Sequence, residues 1–115
     1  MDSAEEIAEA TVLLLKTLIE ANKIAPEDLA SAFFSMTPDL HATFPAKAAR
    51  DKLDWAHVPL FCSQELDIEG GLDRCIRVLL HWNTDKPQRD IFHAYLRKAE
   101  KLRPDLFGSE RTPGA

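Results

Sequence analysis

The residues Ile7, Thr11, Leu14, Leu18 and Ala21 recur at helical spacing, and Leu15 and Ile19 widen the stripe. That period predicts an amphipathic helix laid across a core. Ser3 and Glu6 stand in capping-box spacing at its start, and Asn22 is placed to end it in a left-handed turn. Pro26-Glu27-Asp28 reads as one short turn of helix with Pro at its first position. Leu29–Thr37 is apolar and aromatic and predicts a buried strand, closed by Thr37-Pro38-Asp39. Pro45–Lys52 reads as a short helix. Val58–Leu66 alternates as a second strand, Glu69-Gly70-Gly71 is a turn, and Arg74–Trp82 is a third strand ended by Thr84-Asp85-Lys86-Pro87. Ile91–Leu102 has helical periodicity but carries Phe92 and Tyr95, so strand, helix or a mixture stay open. A loose tail begins at Pro104. One long helix and about three strands predict an α+β domain. Its core would be thin, which points to completion by oligomerisation.

Composition adds limits. The chain has 115 residues, 45% of them hydrophobic and 29% charged, which suits one ordinary globular domain. Its net charge of −5 is already reached within residues 1–28, where seven acids face Lys16 and Lys23. The remainder is balanced, so no basic field exists to attract nucleic acid. Lys16 interrupts the most apolar stretch, Val12–Ile19, well short of the ~18 residues a membrane span needs. The acidic opening, Met1 to Glu6, is unlike a signal or transit peptide. Two cysteines, Cys62 and Cys75, make neither a disulfide framework nor a four-cysteine zinc site. A cytoplasmic protein is expected.

The histidines at 41, 57, 81 and 93 share no metal-ligand spacing, and no nucleophile elbow, P-loop or dinucleotide fingerprint occurs. What stands out is a set of cations at element ends. Lys47 and Arg50 are i, i+3 neighbours able to reach one anion. Arg77 lies inside an apolar strand, where it either faces water on an edge or is held in a site. Glu65 and Tyr95 also sit in half-apolar elements. Together they suggest a pocket for a small carboxylate ligand.

Longer motifs sharpen this. Thr37-Pro38-Asp39-Leu40-His41-Ala42, Phe44-Pro45-Ala46-Lys47-Ala48-Ala49-Arg50, Val58-Pro59-Leu60, Gln64-Glu65, Gly70-Gly71-Leu72, Cys75-Ile76-Arg77-Val78, Tyr95-Leu96 and Leu102-Arg103-Pro104-Asp105-Leu106 occur in order. The chain thereby resembles the monofunctional chorismate mutases of the trimeric α/β-barrel class. The resemblance makes residues 1–106 the mutase domain and 107–115 a flexible tail. It implies a mixed sheet packed on one long helix, a homotrimer with a site at each subunit interface, and the pericyclic (Claisen) rearrangement of chorismate to prephenate in phenylalanine and tyrosine synthesis. It implies no cofactor and no metal.

The resemblance also implies site residues. Phe44, Ala46, Lys47, Arg50, Leu60 and Phe61 would come from one subunit, and Cys62, Glu65, Arg77, Tyr95, Leu102 and Arg103 from its neighbour. Ser63 and Gln64 are also placed in the substrate-binding set. Arg77 would meet the ether oxygen and a side-chain carboxylate, Glu65 the ring hydroxyl with the Cys62 backbone nearby, and Tyr95 the side-chain carboxylate. Lys47, Arg50 and Arg103 would supply positive potential. The family pattern opens with an Arg- and Gly-rich strand, roughly Arg-Gly-Ile-Arg-Gly-Ala, and this chain starts after it, so weaker association and a reduced rate are expected. Phe61, bulky at its position, would narrow the pocket. The alternatives are a non-catalytic trimeric ligand binder, or another small trimeric enzyme such as an enamine deaminase.

Overall fold

The computed structural model describes residues 3–71 and 73–96. Helix α1 spans Ala4–Asn22, strand β1 Leu29–Met36, helix α2 Pro45–Lys52, strand β2 Leu60–Gln64 and strand β3 Ile76–Trp82. Short 3-10 turns lie at Pro26–Asp28 and Gln88–Asp90. The elements expected as far as Trp82 are present. The second and third strands are shorter than their alternation suggested, because pairing with β1 stops where the chain turns away.

Helix α1 begins as its spacing predicts, with the Ser3 side chain accepting from the Glu6 N–H at 3.1 Å. Its innermost line is Ile7, Thr11, Leu15 and Asn22, so Leu15 and not Leu14 faces the core most directly. Thr11 is fully buried because its hydroxyl donates back to the Ile7 carbonyl at 2.7 Å, which satisfies it inside the helix. The left-handed cap falls on Lys23, at φ 57°, one residue beyond Asn22. Asn22 has another task. At 2% exposure, its amide donates to the Leu18 and Phe92 carbonyls and accepts from the Phe92 N–H, each at 2.9 Å. It thereby pins the segment 91–96, which is neither helix nor strand. The remainder of the Ile91–Leu102 element, and the expected loose tail from Pro104 with its 107–115 end, lie outside the described residues.

The sheet is mixed, in the order β2-β1-β3, with β1 parallel to β2 and antiparallel to β3. The parallel pair is joined through α2, because parallel strands need a crossover and not a hairpin. Ala32 and Phe34 of β1, Leu15 of α1, Ala49 of α2, and Trp55 and Val58 before β2 form the core, with Leu60, Cys62, Val78 and Leu80 packed against it.

Both helices therefore serve one face of the sheet. The other face carries Ser31, Phe33 and Ser35 of β1, Phe61 and Ser63 of β2, and Arg77, Leu79 and His81 of β3, by register and strand alternation. The expectation that β1 is buried is corrected here. Phe33 is 42% exposed although β1 is the central strand, because among the described residues no layer covers its outward side.

Candidate functional site

The ends of β1 and β2 and the start of β3 meet at one edge of the sheet, and the polar outward residues gather there. Register places Ser35 between Ser63 of β2 and Arg77 of β3. Glu65 follows β2 directly, its N–H donating to the Met36 carbonyl at 2.8 Å. Its carboxylate is held at both oxygens. The Ser35 hydroxyl donates to Oε2, and Arg77 Nη1 donates to Oε1 at 3.1 Å. The Glu65 side chain is 18% exposed and that of Arg77 63%. A shielded acid thus supports a guanidinium open to solvent, and the contact occupies one of the five N–H donors of the arginine fork. Arg77 therefore lies on an edge strand, largely open to solvent, with its guanidinium in contact with Glu65.

The loop after β1 fixes this edge. The Thr37 N–H donates to the Cys75 carbonyl at 2.9 Å, and the Cys75 N–H donates to the Thr37 hydroxyl oxygen at 2.9 Å. The Asp39 carboxylate accepts the Arg74 N–H at 3.0 and 3.1 Å. Thr37-Pro38-Asp39 thereby ties the entry of β3 to the exit of β1 and sets where Arg77 begins. The pair sits at the carboxyl ends of the parallel strands, the side on which open α/β sheets receive ligands.

The remaining candidates fall in other places. Lys47 and Arg50 do reach one anion, but it is Asp51 of their own helix, at 2.8 Å from Lys47 Nζ and 3.7 Å from Arg50 Nε. The Lys47 hydrogen bond holds the Asp51 carboxyl below its ordinary range, with the two cationic charges adding to it against some desolvation. Phe44 and Lys47 line a groove of about 630 Å³ between α1 and α2, together with Val12, Leu13 and Ala48. Among the described residues, no hydrogen bond or ion pair joins this set to Glu65 and Arg77.

Ala46, Leu60 and Cys62 turn toward the core, so Cys62 presents mainly its backbone to the outer face. Phe61 faces outward against Phe33, with ring centroids 5.5 Å apart. Gln64 ends β2 opposite Met36 and is exposed, and Tyr95 is half-buried beyond the Asn22 clamp. Leu102 and Arg103 lie outside the described residues. Ser35 is the contact that the sequence reading missed. The alternation Ser31, Phe33, Ser35 is the signal for it, masked by the apolar run in which it lies. No group of three or more His, Cys, Asp or Glu side chains converges among the described residues, and none of the helices there is long and apolar enough to cross a membrane.

Residues 1–106 match the family model of chorismate mutase type I. Chorismate mutase AroH of Bacillus subtilis (strain 168) is 50% identical over 111 residues, covering 96% of this chain and 87% of the relative. Chorismate mutase AroH of Thermus thermophilus is 48% identical over 110 residues, covering 95% and 89%. The solved structure of a chorismate mutase from Clostridium thermocellum superposes with a TM-score of 0.85 at 44% identity, covering 88% of this chain and 89% of that one.

Proposed function

The chain belongs to the chorismate mutase type I family, isomerases that rearrange chorismate to prephenate, and from that premise we propose that Arg77 and Glu65 carry its reaction. A pericyclic rearrangement moves electrons within one molecule and asks for no nucleophile or proton carrier. The protein must hold the enolpyruvyl arm over the ring. It must also place positive charge where the ether oxygen becomes negative as its C–O bond breaks.

Arg77 meets the second need, with its fork reaching the ether oxygen and a side-chain carboxylate of the substrate. Glu65 accepts from the ring hydroxyl and steadies Arg77, while the Cys62 backbone and Tyr95 complete the polar contacts. The observation carrying this reading is the Glu65–Arg77 pair, at 3.1 Å on the uncovered face at the carboxyl ends of the parallel strands.

The site is shared between subunits in this reading. Phe44, Ala46, Lys47, Arg50, Leu60 and Phe61 serve one side, with Lys47 and Arg50 adding positive potential. The sheet-edge residues Cys62, Ser63, Gln64, Glu65, Arg77 and Tyr95, with Leu102 and Arg103, serve the neighbour's side. Two features support a trimer: the exposed Phe33, Phe61 and Leu79 on the outward face, and the separation of the α2 set from the Glu65–Arg77 pair among the described residues of one chain. Residues 1–106 form the mutase domain, acting in the cytoplasm on a small soluble metabolite of aromatic amino-acid synthesis. The non-catalytic alternative is not favoured, since the charged pair is in place and the relatives matched over nearly the whole chain are named as mutases.

The test follows the loss of chorismate absorbance. The native chain should convert chorismate to prephenate, and Arg77→Ala should lower the rate by about 10²–10³. An Arg77→Ala protein with native turnover would remove Arg77 from the reaction.

A further inference from the structure

We propose that Ser35 is a positioning residue that keeps the contact between Glu65 and Arg77 to a single hydrogen bond, so that the guanidinium stays available to the substrate. The inference rests on the reading that Arg77 and Glu65 act on chorismate.

A carboxylate beside an arginine tends to a two-pronged pairing, in which both oxygens bond two N–H groups in parallel. That geometry would occupy the edge of the fork with an internal partner. The Ser35 hydroxyl holds Oε2 on the β1 side and so fixes the turn of the carboxylate, which presents Oε1 to Arg77, and the bond observed runs from Nη1 alone. Three constraints make the hydroxyl effective. Ser35 is in register with Arg77 across the β1–β3 pairing and with Ser63 across the β1–β2 pairing, so its side chain leaves the sheet in the same row. The Glu65 backbone is fixed by its bond to Met36. Finally, Glu65 is mostly shielded, which limits water as a substitute for the serine. Without the hydroxyl the carboxylate is able to turn and close on the guanidinium. Substrate would then have to break that pairing before the ether oxygen met its charge.

The experiment compares Ser35→Thr with Ser35→Val, which match in shape and differ in the hydroxyl. Both are β-branched and suited to a strand, so folding is not the variable. Ser35→Thr should keep kcat within about threefold of native, and Ser35→Val should fall about tenfold or more below Ser35→Thr, the scale of one hydrogen bond to a charged group. The loss should appear chiefly in kcat, since Arg77 acts most strongly on the charge developing in the transition state. In a Glu65→Gln background the difference between Thr and Val should shrink to less than twofold, because Ser35 acts through that carboxylate.

Equal kcat for Thr and Val would overturn the proposal, as would a difference that persists undiminished in the Glu65→Gln background. Its failure is separable from failure of the site reading. If Arg77→Ala lowers the rate while Thr and Val remain equal, only the role of Ser35 falls. If Arg77→Ala is itself native, the site reading falls with it.

Discussion

In the proposed site, Arg77 is the side chain that joins fold to chemistry. Its strand is an edge strand, which leaves room for a charged group among apolar neighbours, and Glu65 offsets that charge without enclosing it. The planar fork matters as much as the charge. Arg77→Lys should therefore recover little of the rate lost in Arg77→Ala, because an ammonium cannot span the ether oxygen and a carboxylate together. Steady-state kinetics would show Arg77→Lys at least about tenfold below native in kcat/KM, the scale of one hydrogen bond to a charged group. A lysine variant within twofold of native would make Arg77 a point charge only. Arg77 drew notice in the sequence as an arginine inside an apolar run. Ser35 did not, since a serine in a strand has no such contrast and its role depends on which residues two other strands bring alongside it.

Periodicity made most of the described elements legible, because each of those helices and strands turns one face inward and the inward positions repeat at the period of the backbone. What it left out were partners far away in the chain. Asn22 looked like a helix end, yet its amide reaches 70 residues ahead to clasp the Phe92 backbone. Asn22→Ala leaves that N–H and carbonyl without the Asn22 amide in a half-buried place, and should cost about 2 kcal/mol. Urea unfolding would measure it, and a change below ~0.5 kcal/mol would mean that water replaces the amide. Helix α2 offers a second test. The Lys47 bond to Asp51 depresses the Asp51 pKa, so its contribution to stability is full above the ordinary carboxylate range and is lost as pH falls through the lowered value. The pair is exposed, which keeps that contribution small. Its effect on substrate is the more useful measure. Asp51→Asn removes the internal anion from Lys47 and Arg50 and should lower KM about two- to threefold in dilute buffer, with the gain disappearing near 1 M salt. An unchanged KM in dilute buffer would separate α2 from the substrate's field.

Among the described residues of a single chain, the helices lie on one side of the sheet and no element covers the other. Periodicity could not reveal this, since a row such as Phe33, Phe61 and Leu79 is as apolar as a core row, and only the placement of the helices decides which row is covered. Leu79 is 57% exposed between Arg77 and His81 on the outward row of β3. Leu79→Gln keeps nearly the same volume and brings no charge that could pair with Arg77. In an isolated chain an exposed substitution of this kind changes stability by no more than about 0.5 kcal/mol. Covered by other copies, the same amide lacks partners and costs about 1–3 kcal/mol in each copy. The two cases therefore diverge in assembly and not in folding. Light scattering should show the native protein as a trimer and Leu79→Gln shifted toward monomer at micromolar concentration, with an unchanged circular dichroism spectrum. In the proposed arrangement each site draws residues from two chains, so chorismate turnover should fall with the trimer and return as the concentration of the variant is raised. A monomeric variant that keeps full turnover would place the complete site within one chain, and the division of the candidate residues between subunits would then be wrong.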